Sequence, residues 1–193
     1  MAIRIYGNRA IKTLPGEATR PTSSRVREAV FNIWQGQVRG CRWLDLCAGS
    51  GAMGAEALCR GADEVVGIEK CGAACRVVKE NWQKVAKPEQ SFQVIKGDVV
   101  RQIRVLAQGW QNNAEKNLFD QVYFDPPYAA DLYEPVLAEV SRILTPHGQI
   151  AVEYSKVHWQ PDRLPVNLAI VKEKHYGSTS LVFLKLLTKS QTD

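Results

Sequence analysis

Hydrophobic and polar positions change their period repeatedly along this chain. From residue 42 onward, short runs rich in Val, Ile and Leu alternate with longer segments in which apolar residues recur at helical spacing. The short runs predict strands at 42–47, 64–69, 91–96, 119–125 and 149–154. The longer segments predict helices at about 52–60, 71–86, 98–109 and 131–144. Strands separated by helices are typical of a parallel sheet with helices on both faces.

The end of the chain predicts an antiparallel hairpin. Two further strand-like runs, at 168–174 and 180–187, are joined by the short turn Tyr176-Gly177-Ser178-Thr179. So brief a connection requires antiparallel neighbours, because parallel neighbours need a long crossover. The sequence therefore predicts an α/β fold whose mostly parallel, seven-stranded sheet ends in an antiparallel hairpin.

Residues 1–40 have a different pattern and predict a small β/helix extension. Residues 2–14 predict a short strand and a loop, and a helix follows through about Trp34. A residue within Thr22–Ser24 is expected to cap this helix. Its core-facing stripe is predicted to be Val26, Ala29, Val30 and Ile33. We expect Arg25 and Arg27 to project away from that stripe or along its edge.

The composition fits a soluble protein of one domain, or of one domain with a small appendage. Of the 193 residues, 45% are hydrophobic and 23% are charged, and no apolar run approaches the roughly 20 residues of a membrane span. The N-terminus has no apolar signal segment, which disfavours secretion. Five cysteines, an odd number without a CxxC pair, favour small buried residues in a reducing cytoplasm over a disulfide or a metal site.

Positive charge is concentrated at the start of the chain. Residues 1–42 hold eight Arg or Lys and two Glu, a net charge of +6, whereas the whole chain has +5. A basic segment on a nearly neutral body suggests that a polyanion binds there. A solvated surface without a partner is an equally good reading of the charge alone.

A glycine-rich turn follows the first of the alternating strands, in Asp45-Leu46-Cys47-Ala48-Gly49-Ser50-Gly51-Ala52-Met53-Gly54. It contains GxGxxG, a pattern that NAD enzymes share with users of other adenosine cofactors. Glu69, twenty residues after Gly49, ends the second strand, where an acid would bind ribose hydroxyls. Asp45 favours S-adenosylmethionine, because a carboxylate there would repel a pyrophosphate and attract a sulfonium and an ammonium.

A third acid follows the third strand. Asp98 could accept a hydrogen bond from the amino group of adenine. Each of these acids alone is more often a helix cap or a solvent-facing residue. Three acids that end three successive strands, at the side of the sheet where α/β proteins bind ligands, together favour a cofactor site.

The segment Asp125-Pro126-Pro127-Tyr128 directly follows the apolar run 122–124. The Asp125 carboxylate and the Pro126 carbonyl can both accept hydrogen bonds from one NH₂ group. The prolines restrict the backbone, and Tyr128 offers a ring on which a nucleobase could stack. A plain turn at the end of a strand is the competing interpretation of this segment.

Taken together, these residues resemble class I S-adenosylmethionine-dependent methyltransferases that act on exocyclic nucleobase nitrogens. More narrowly, the chain resembles the RsmD family of 16S rRNA guanine-N2 methyltransferases. The narrower resemblance rests on Arg20-Pro21-Thr22, Arg25-Val26-Arg27-Glu28, the loop Asp45–Gly51, Glu56-Ala57-Leu58, Arg60-Gly61-Ala62 and Tyr176-Gly177. It covers nearly the whole chain.

The resemblance implies a class I methyltransferase fold, similar to the Rossmann fold, and three groups of site residues. The residues expected to hold the target amine are Asp125, Pro126, Pro127 and Tyr128. The expected cofactor residues are Asp45, Cys47, Ala48, Gly49, Ser50, Gly51, Glu69, Lys70, Asp98, Val99 and Asp125. The expected RNA contacts are Arg4, Arg9, Lys12, Arg20, Thr22, Arg25 and Arg27.

The resemblance also implies the reaction and its setting. The expected reaction moves a methyl group from S-adenosyl-L-methionine to guanine N2 of 16S rRNA in a small subunit or its assembly intermediate, leaving S-adenosyl-L-homocysteine. No metal and no membrane is expected to take part. We expect a cytoplasmic monomer (or a stromal one, in an organelle with bacterial-type ribosomes) with an RNA-docking extension at 1–40, a methyltransferase domain at 41–188 and a flexible tail at 189–193.

Three other functions remain open from the sequence. An adenine-N6 or cytosine-N4 DNA methyltransferase would use the same amine holder, but 193 residues leave little room for a DNA-recognition domain. An RNA-binding assembly factor could retain a vestigial cofactor pocket. A nicotinamide dehydrogenase is disfavoured by Asp45 and by the lack of an evident acid for hydride transfer.

Overall fold

The computed structural model describes residues 2–14, 22–109, 118–128, 130–162 and 164–187. The chain divides into two compact units, Met1–Val99 and Val100–Asp193. The predicted tail at 189–193 lies outside the described residues, and the predicted division after residue 40 stays a prediction. No described helix is long and apolar enough to cross a membrane.

The N-terminal unit begins with a two-stranded antiparallel sheet. β1 (Ala2–Ile5) and β2 (Arg9–Lys12) are joined by the short 3₁₀ turn Tyr6–Asn8, in which Gly7 has a φ of 70°. The prediction of a single strand followed by a loop is therefore wrong for β2. Ile11 is the one buried residue of that strand, so its four residues alternate too weakly to predict a strand.

Helix α1 (Ser24–Ile33) begins after the cap Ser23, as predicted within Thr22–Ser24. The buried residues of this helix are Val26, Arg27, Val30 and Phe31. Phe31 stacks on Trp43 with ring centroids 5.2 Å apart. The buried face therefore turns toward Phe31, and the predicted stripe residue Ile33 is only half-buried.

Three parallel strands form the sheet of the N-terminal unit, in the order β5-β4-β3. They are β3 (Arg42–Leu46), β4 (Glu64–Glu69) and β5 (Ser91–Lys96), connected by α2 (Ala52–Cys59) and α3 (Gly72–Val85). These bounds lie within one residue of the predicted ones. The strict alternation of apolar strands with helices was therefore a sufficient signal for this part of the fold.

In the described part of the C-terminal unit, the chain continues with two helices and four strands. They are α4 (Val99–Gly109), which begins at the last residue of the preceding unit, β6 (Phe119–Phe124), α5 (Tyr133–Val140), β7 (Leu144–Tyr154), β8 (Leu168–Tyr176) and β9 (Thr179–Leu186). β6 pairs parallel with β7, and β9 pairs antiparallel with both β7 and β8. The turn between β8 and β9 contains Gly177, whose φ is 63°.

The strand β7 starts five residues before the predicted position, at Leu144, which pairs with Phe119. Pro146 and Gly148 hid this part of the strand, since both residues are depleted in strands. The early start also shortens α5, which ends at Val140. With these changes, the predicted fold class is confirmed: a mostly parallel seven-stranded sheet with helices and a C-terminal antiparallel hairpin.

The five cysteines are all free thiols. Only Cys41 is buried, while Cys47, Cys59 and Cys75 are half-buried and Cys71 is exposed. The prediction of small buried residues is therefore right for Cys41 and wrong for Cys71, because a helix N-cap such as Cys71 lies at the surface.

Candidate active site

The glycine-rich turn of the N-terminal unit connects β3 to α2 through a chain of tight bends. Cys47, Gly49 and Gly51 have φ values of 63°, 55° and 73°. Gly51 N–H donates to the Ala48 carbonyl at 2.6 Å, and Ala48 N–H donates to the Ile68 carbonyl at 3.0 Å. The turn is thus tied to the neighbouring strand β4. The half-buried positions are Cys47 and Gly49, while Ala48, Ser50 and Gly51 are buried.

Asp45 is a buried carboxyl group in this turn region, with 2% of its surface exposed. Its Oδ2 accepts a hydrogen bond from the Gly54 N–H group at 3.1 Å, in the first turn of α2. The pKa of Asp45 is raised to about 8, mainly by burial; the hydrogen bond from Gly54 opposes this change and the charge of Glu69 adds to it. This carboxyl therefore contacts the first turn of α2, a helix-capping role that is an alternative to the predicted contact with a cofactor.

Glu69 links the glycine-rich turn to the start of α3. Its Oε2 accepts a hydrogen bond from Gly49 N–H at 2.8 Å, and its Oε1 accepts one from Cys71 N–H at 2.7 Å. Each carboxylate oxygen has about two lone-pair directions, so both oxygens keep room for a further donor. A ribose diol offers two such donors. Glu69 therefore fits the predicted role of holding an adenosine cofactor through its sugar.

The other predicted cofactor residues of this unit follow the neighbouring strands. Lys70 and Asp98 are exposed, and Val99 is buried at the start of α4. Glu69 is the last residue of β4, and Asp98 follows β5. Because these strands are parallel neighbours, both acids lie at the carboxyl ends of the strands, along the same edge of the sheet. The structure thus brings the acids of β3, β4 and β5 to one edge, as predicted.

Two residues that the sequence analysis missed support the turn from α3. Trp82 donates from its indole Nε1 to the Gly51 carbonyl at 2.8 Å. A Cβ atom at Gly54 would collide with the Trp82 ring, and one at Gly67 would lie 2.5 Å from it. Glycine is therefore required at both positions because a tryptophan fills the space, and no local sequence signal identifies that partner.

Asn81 is the second missed residue, and it is 2% exposed. Its Oδ1 accepts from Lys12 N–H at 2.9 Å, and its Nδ2 donates to the Lys12 carbonyl at 2.9 Å. The same Nδ2 also donates to the Ser50 carbonyl at 2.9 Å. One amide side chain therefore links β2 to the glycine-rich turn.

In the C-terminal unit, the predicted amine-holding segment directly follows β6. Asp125 and Tyr128 are half-buried, Pro126 is buried and Pro127 is exposed. The segment ends in a turn in which Ala130 N–H donates to the Pro127 carbonyl at 3.0 Å. A half-buried carboxylate after a buried strand, followed by a buried proline, is consistent with a rigid pair of acceptors.

The hydroxyl of Tyr128 is held by its surroundings. It lies 3.3 Å from Glu153 Oε1 and 3.3 Å from Thr179 Oγ1. The pKa of Tyr128 is raised to about 12, mainly by burial; the hydrogen bond with Thr179 opposes this change, and the charges of Glu153 and Asp125 add to it. The hydroxyl is therefore neutral at physiological pH. Glu153 was not predicted, although an acid within the apolar strand β7 was a readable signal.

The predicted RNA contacts differ in exposure. Arg4, Arg9, Lys12 and Arg25 are exposed, and Thr22 is half-buried. Arg4 donates to Asn8, and Lys12 forms an ion pair with Glu80 at 2.7 Å. Arg20 lies outside the described residues.

Arg27, predicted to project away from the core-facing stripe of α1 or along its edge and to contact RNA, instead belongs to the buried face of that helix. Its side chain is 5% exposed, and its Nε lies 2.6 Å from Glu56 Oε2. Its other nitrogen atoms donate to the carbonyls of Arg4 and Thr22. Glu56 also pairs with Arg60 at 2.8 Å. An unpaired guanidinium could not be buried at low cost, so the pair with Glu56 explains why a charged residue occupies the core face of α1.

Among the described residues, no group of three or more His, Cys, Asp and Glu side chains could hold a metal ion.

The comparisons with known proteins agree with this geometry. The family described as conserved hypothetical protein 95 matches residues 3–185. Ribosomal RNA small subunit methyltransferase D of Haemophilus influenzae is 32% identical over 178 residues, which cover 91% of this chain and 88% of that protein. The protein of the same name from Escherichia coli is 28% identical over 199 residues, with 99% and 93% coverage.

Solved structures are similar to this chain over nearly its whole length. A candidate methyltransferase from Escherichia coli has a TM-score of 0.78 at 26% identity and covers 96% of this chain and 98% of its own. A candidate methylase from Haemophilus influenzae has a TM-score of 0.75 at 28% identity, with 97% and 100% coverage.

Proposed function

This chain belongs to the conserved hypothetical protein 95 family, the RsmD family, and on that premise we propose that it methylates the exocyclic N2 of a guanine in 16S rRNA. The substrate is a small ribosomal subunit, assembled or partly assembled. The observation that carries the proposal is the segment Asp125–Tyr128 after β6, in which two oxygen acceptors precede a ring whose hydroxyl is held in place. Its family is one of rRNA methyltransferases. The proposal adds the base that is methylated, the nitrogen that accepts the methyl group and the particle that serves as the substrate.

The cofactor is S-adenosyl-L-methionine, which supplies a methyl group already activated by a positively charged sulfur. The N-terminal unit offers residues that fit its parts. Glu69 has two carboxylate oxygens with spare lone pairs for the ribose hydroxyls, and Asp98 offers an acceptor for the adenine amino group. The half-buried backbone of Cys47 and Gly49 and the buried Asp45 carboxyl, which can lose its proton when a cationic cofactor binds beside it, complete the set. Ala48, Ser50, Gly51, Lys70 and Val99 belong to the same proposed lining.

Asp125 and the Pro126 carbonyl hold the target amine. An aromatic amine is a poor nucleophile because its lone pair is delocalised into the ring. Two acceptors that bind its two hydrogen atoms favour a pyramidal nitrogen whose lone pair points away from the ring. Tyr128 stacks on the base and offsets part of the unstacking energy of a few kcal/mol. Much of the acceleration is positional, since orientation can remove roughly 7–11 kcal/mol of a barrier.

The proton balance requires no strong base before the transfer. The amine that has gained a methyl group is cationic and therefore acidic, and it loses its proton to Asp125 or to water afterwards. A half-buried carboxylate suits this task because it remains accessible to solvent, which can carry the proton away.

The RNA backbone binds to the basic N-terminal residues. The proposed phosphate contacts are Arg4, Arg9, Lys12 and Arg25, together with Thr22 and Arg20. Arg27 is left out, because its guanidinium is buried against Glu56. We further propose that the protein acts as a monomer, in the cytoplasm or in the stroma of an organelle with bacterial-type ribosomes.

The test is transfer of a tritiated methyl group to small subunits from a strain that lacks this modification. The expected product is N2-methylguanosine in 16S rRNA, identified by mass analysis of nucleosides. Asp125→Ala should retain cofactor binding, measured by titration calorimetry, and lose most of the turnover. Methylated adenine or cytosine would indicate the DNA-type activity, and an absence of cofactor binding by the unaltered protein would indicate a non-catalytic assembly factor.

A further inference from the structure

Glu153 is a carboxylate buried in an apolar strand. It lies in β7, where 5% of its surface is exposed, and its neighbours Val152 and Tyr154 are fully buried. Transfer of a carboxylate into such a place is costly unless hydrogen bonds satisfy it. A residue with an apolar side chain would occupy this position at lower cost, so the carboxylate calls for an explanation beyond packing.

Tyrosine hydroxyls donate to each oxygen of this carboxylate. Tyr123 donates to Oε2 at 2.5 Å, and Tyr128 donates to Oε1 at 3.3 Å. The Tyr128 hydroxyl also lies 3.3 Å from Oγ1 of Thr179, the first residue of β9. Groups on two neighbouring strands therefore hold the end of the Tyr128 side chain.

This attachment fixes the ring as well as the hydroxyl. A tyrosine side chain has two rotatable torsions, so a held hydroxyl leaves its ring little freedom. The ring lies 6.2 Å from that of His158, centroid to centroid, at an interplanar angle of 33°. Because burial raises the pKa of Tyr128, its hydroxyl keeps its proton at neutral pH and remains a hydrogen-bond donor.

We propose that Glu153 is a positioning residue for methyl transfer: it sets the plane of the Tyr128 ring on which the target guanine stacks. This inference rests on the proposed function. The tilt of a stacked base follows the ring beneath it, and the tilt decides where the N2 lone pair points. Glu153 acts through Tyr128 and does not touch the base.

The test compares steady-state kinetics of methyl transfer to small subunits for Glu153→Leu, Tyr128→Phe and the double variant. Leu has a similar volume and neither accepts nor donates, so the Tyr128 hydroxyl loses its partner on β7. Each single change should lower kcat about tenfold or more and leave KM for S-adenosyl-L-methionine within about twofold. The double variant should be no more than about twofold slower than the slower single variant, because both changes remove one interaction.

Tyr133→Phe is the matched control. It removes another tyrosine hydroxyl that donates to the same residue, but to the Glu153 backbone carbonyl, at 3.3 Å. It should lower thermal stability while changing kcat by less than about twofold. If Glu153→Leu does not fold, Tyr128→Phe decides the question, since Glu153 then keeps its bond with Tyr123.

The outcomes separate the two proposals. Wild-type kcat in Glu153→Leu or in Tyr128→Phe, or a kcat loss in Tyr133→Phe equal to theirs, would overturn the positioning role and leave the proposed function standing. No methyl transfer by the unaltered protein to unmethylated subunits would remove both.

Discussion

Asp45→Asn should remove a large part of the pH dependence of stability of the cofactor-free protein. The unaltered carboxyl has a pKa of about 8 in the folded state, mainly because it is buried, against 3.8 as the ordinary value. The folded protein therefore keeps a proton that the unfolded chain has lost. The stability that this proton contributes is complete below pH 4 and is lost as the pH rises through about 8.

The magnitude follows from one proton. Between pH 5 and pH 7 the folded state binds about one more proton than the unfolded state, so the free energy of unfolding falls by about 1.4 kcal/mol per pH unit, or about 3 kcal/mol over the interval. Asn has the same shape, carries no charge and still offers an oxygen to the Gly54 N–H group. The variant should therefore lack this loss while retaining the contact.

Urea unfolding at pH 5 and pH 7, with the cofactor absent, measures the difference. All other titrating groups are shared, so the wild-type protein should lose about 3 kcal/mol more than Asp45→Asn over this interval. Asp63→Asn, at an exposed position of the same unit, is the control and should follow the wild type. Equal losses in the wild type and Asp45→Asn would refute the assignment of a proton to this buried carboxyl.

Three further changes test other parts of the structure. Gly54→Ala should destabilise the protein by about 1–3 kcal/mol in urea unfolding, because the new methyl group meets the Trp82 ring; Gly72→Ala, which meets only the flexible side chain of Lys96, should not. Arg27→Met should lower the free energy of unfolding by about 3 kcal/mol, since it leaves Glu56 buried with one partner fewer. Lys12→Met, at the exposed pair with Glu80, should change the free energy of unfolding little. Equal effects of the two changes would contradict a buried pair. Arg25→Ala should reduce the slope of log affinity for small subunits against log salt by about 1, and Arg76→Ala, on another exposed helix position, should leave that slope unchanged.

The parallel core of the fold was predictable because short strands rich in apolar residues alternate with segments of helical period. The bounds of β3, β4 and β5 differ from the predicted ones by one residue at most. The misses have local causes. β2 has a single buried residue, and Pro146 and Gly148 interrupt the pattern at the start of β7.

The position of a candidate site residue was predictable where the residue lies at the end of a strand, as Glu69 and Asp125 do. It was not predictable where long-range contacts decide the role of a side chain. Arg27 looked like a surface residue because its partner Glu56 is 29 positions away. Trp82 and Asn81 showed no signal, since their contacts with the glycine-rich turn exist only in the folded chain.

The amide of Asn81 has a practical consequence for anyone who trims this protein. A fragment beginning near residue 41 would still contain the whole predicted methyltransferase domain, 41–188. Such a fragment would discard the Lys12 backbone that occupies Asn81 and would leave a buried amide half-satisfied beside Ser50. The two-stranded sheet of β1 and β2 therefore supports the glycine-rich turn through Asn81, and shortened versions of the protein should retain this sheet.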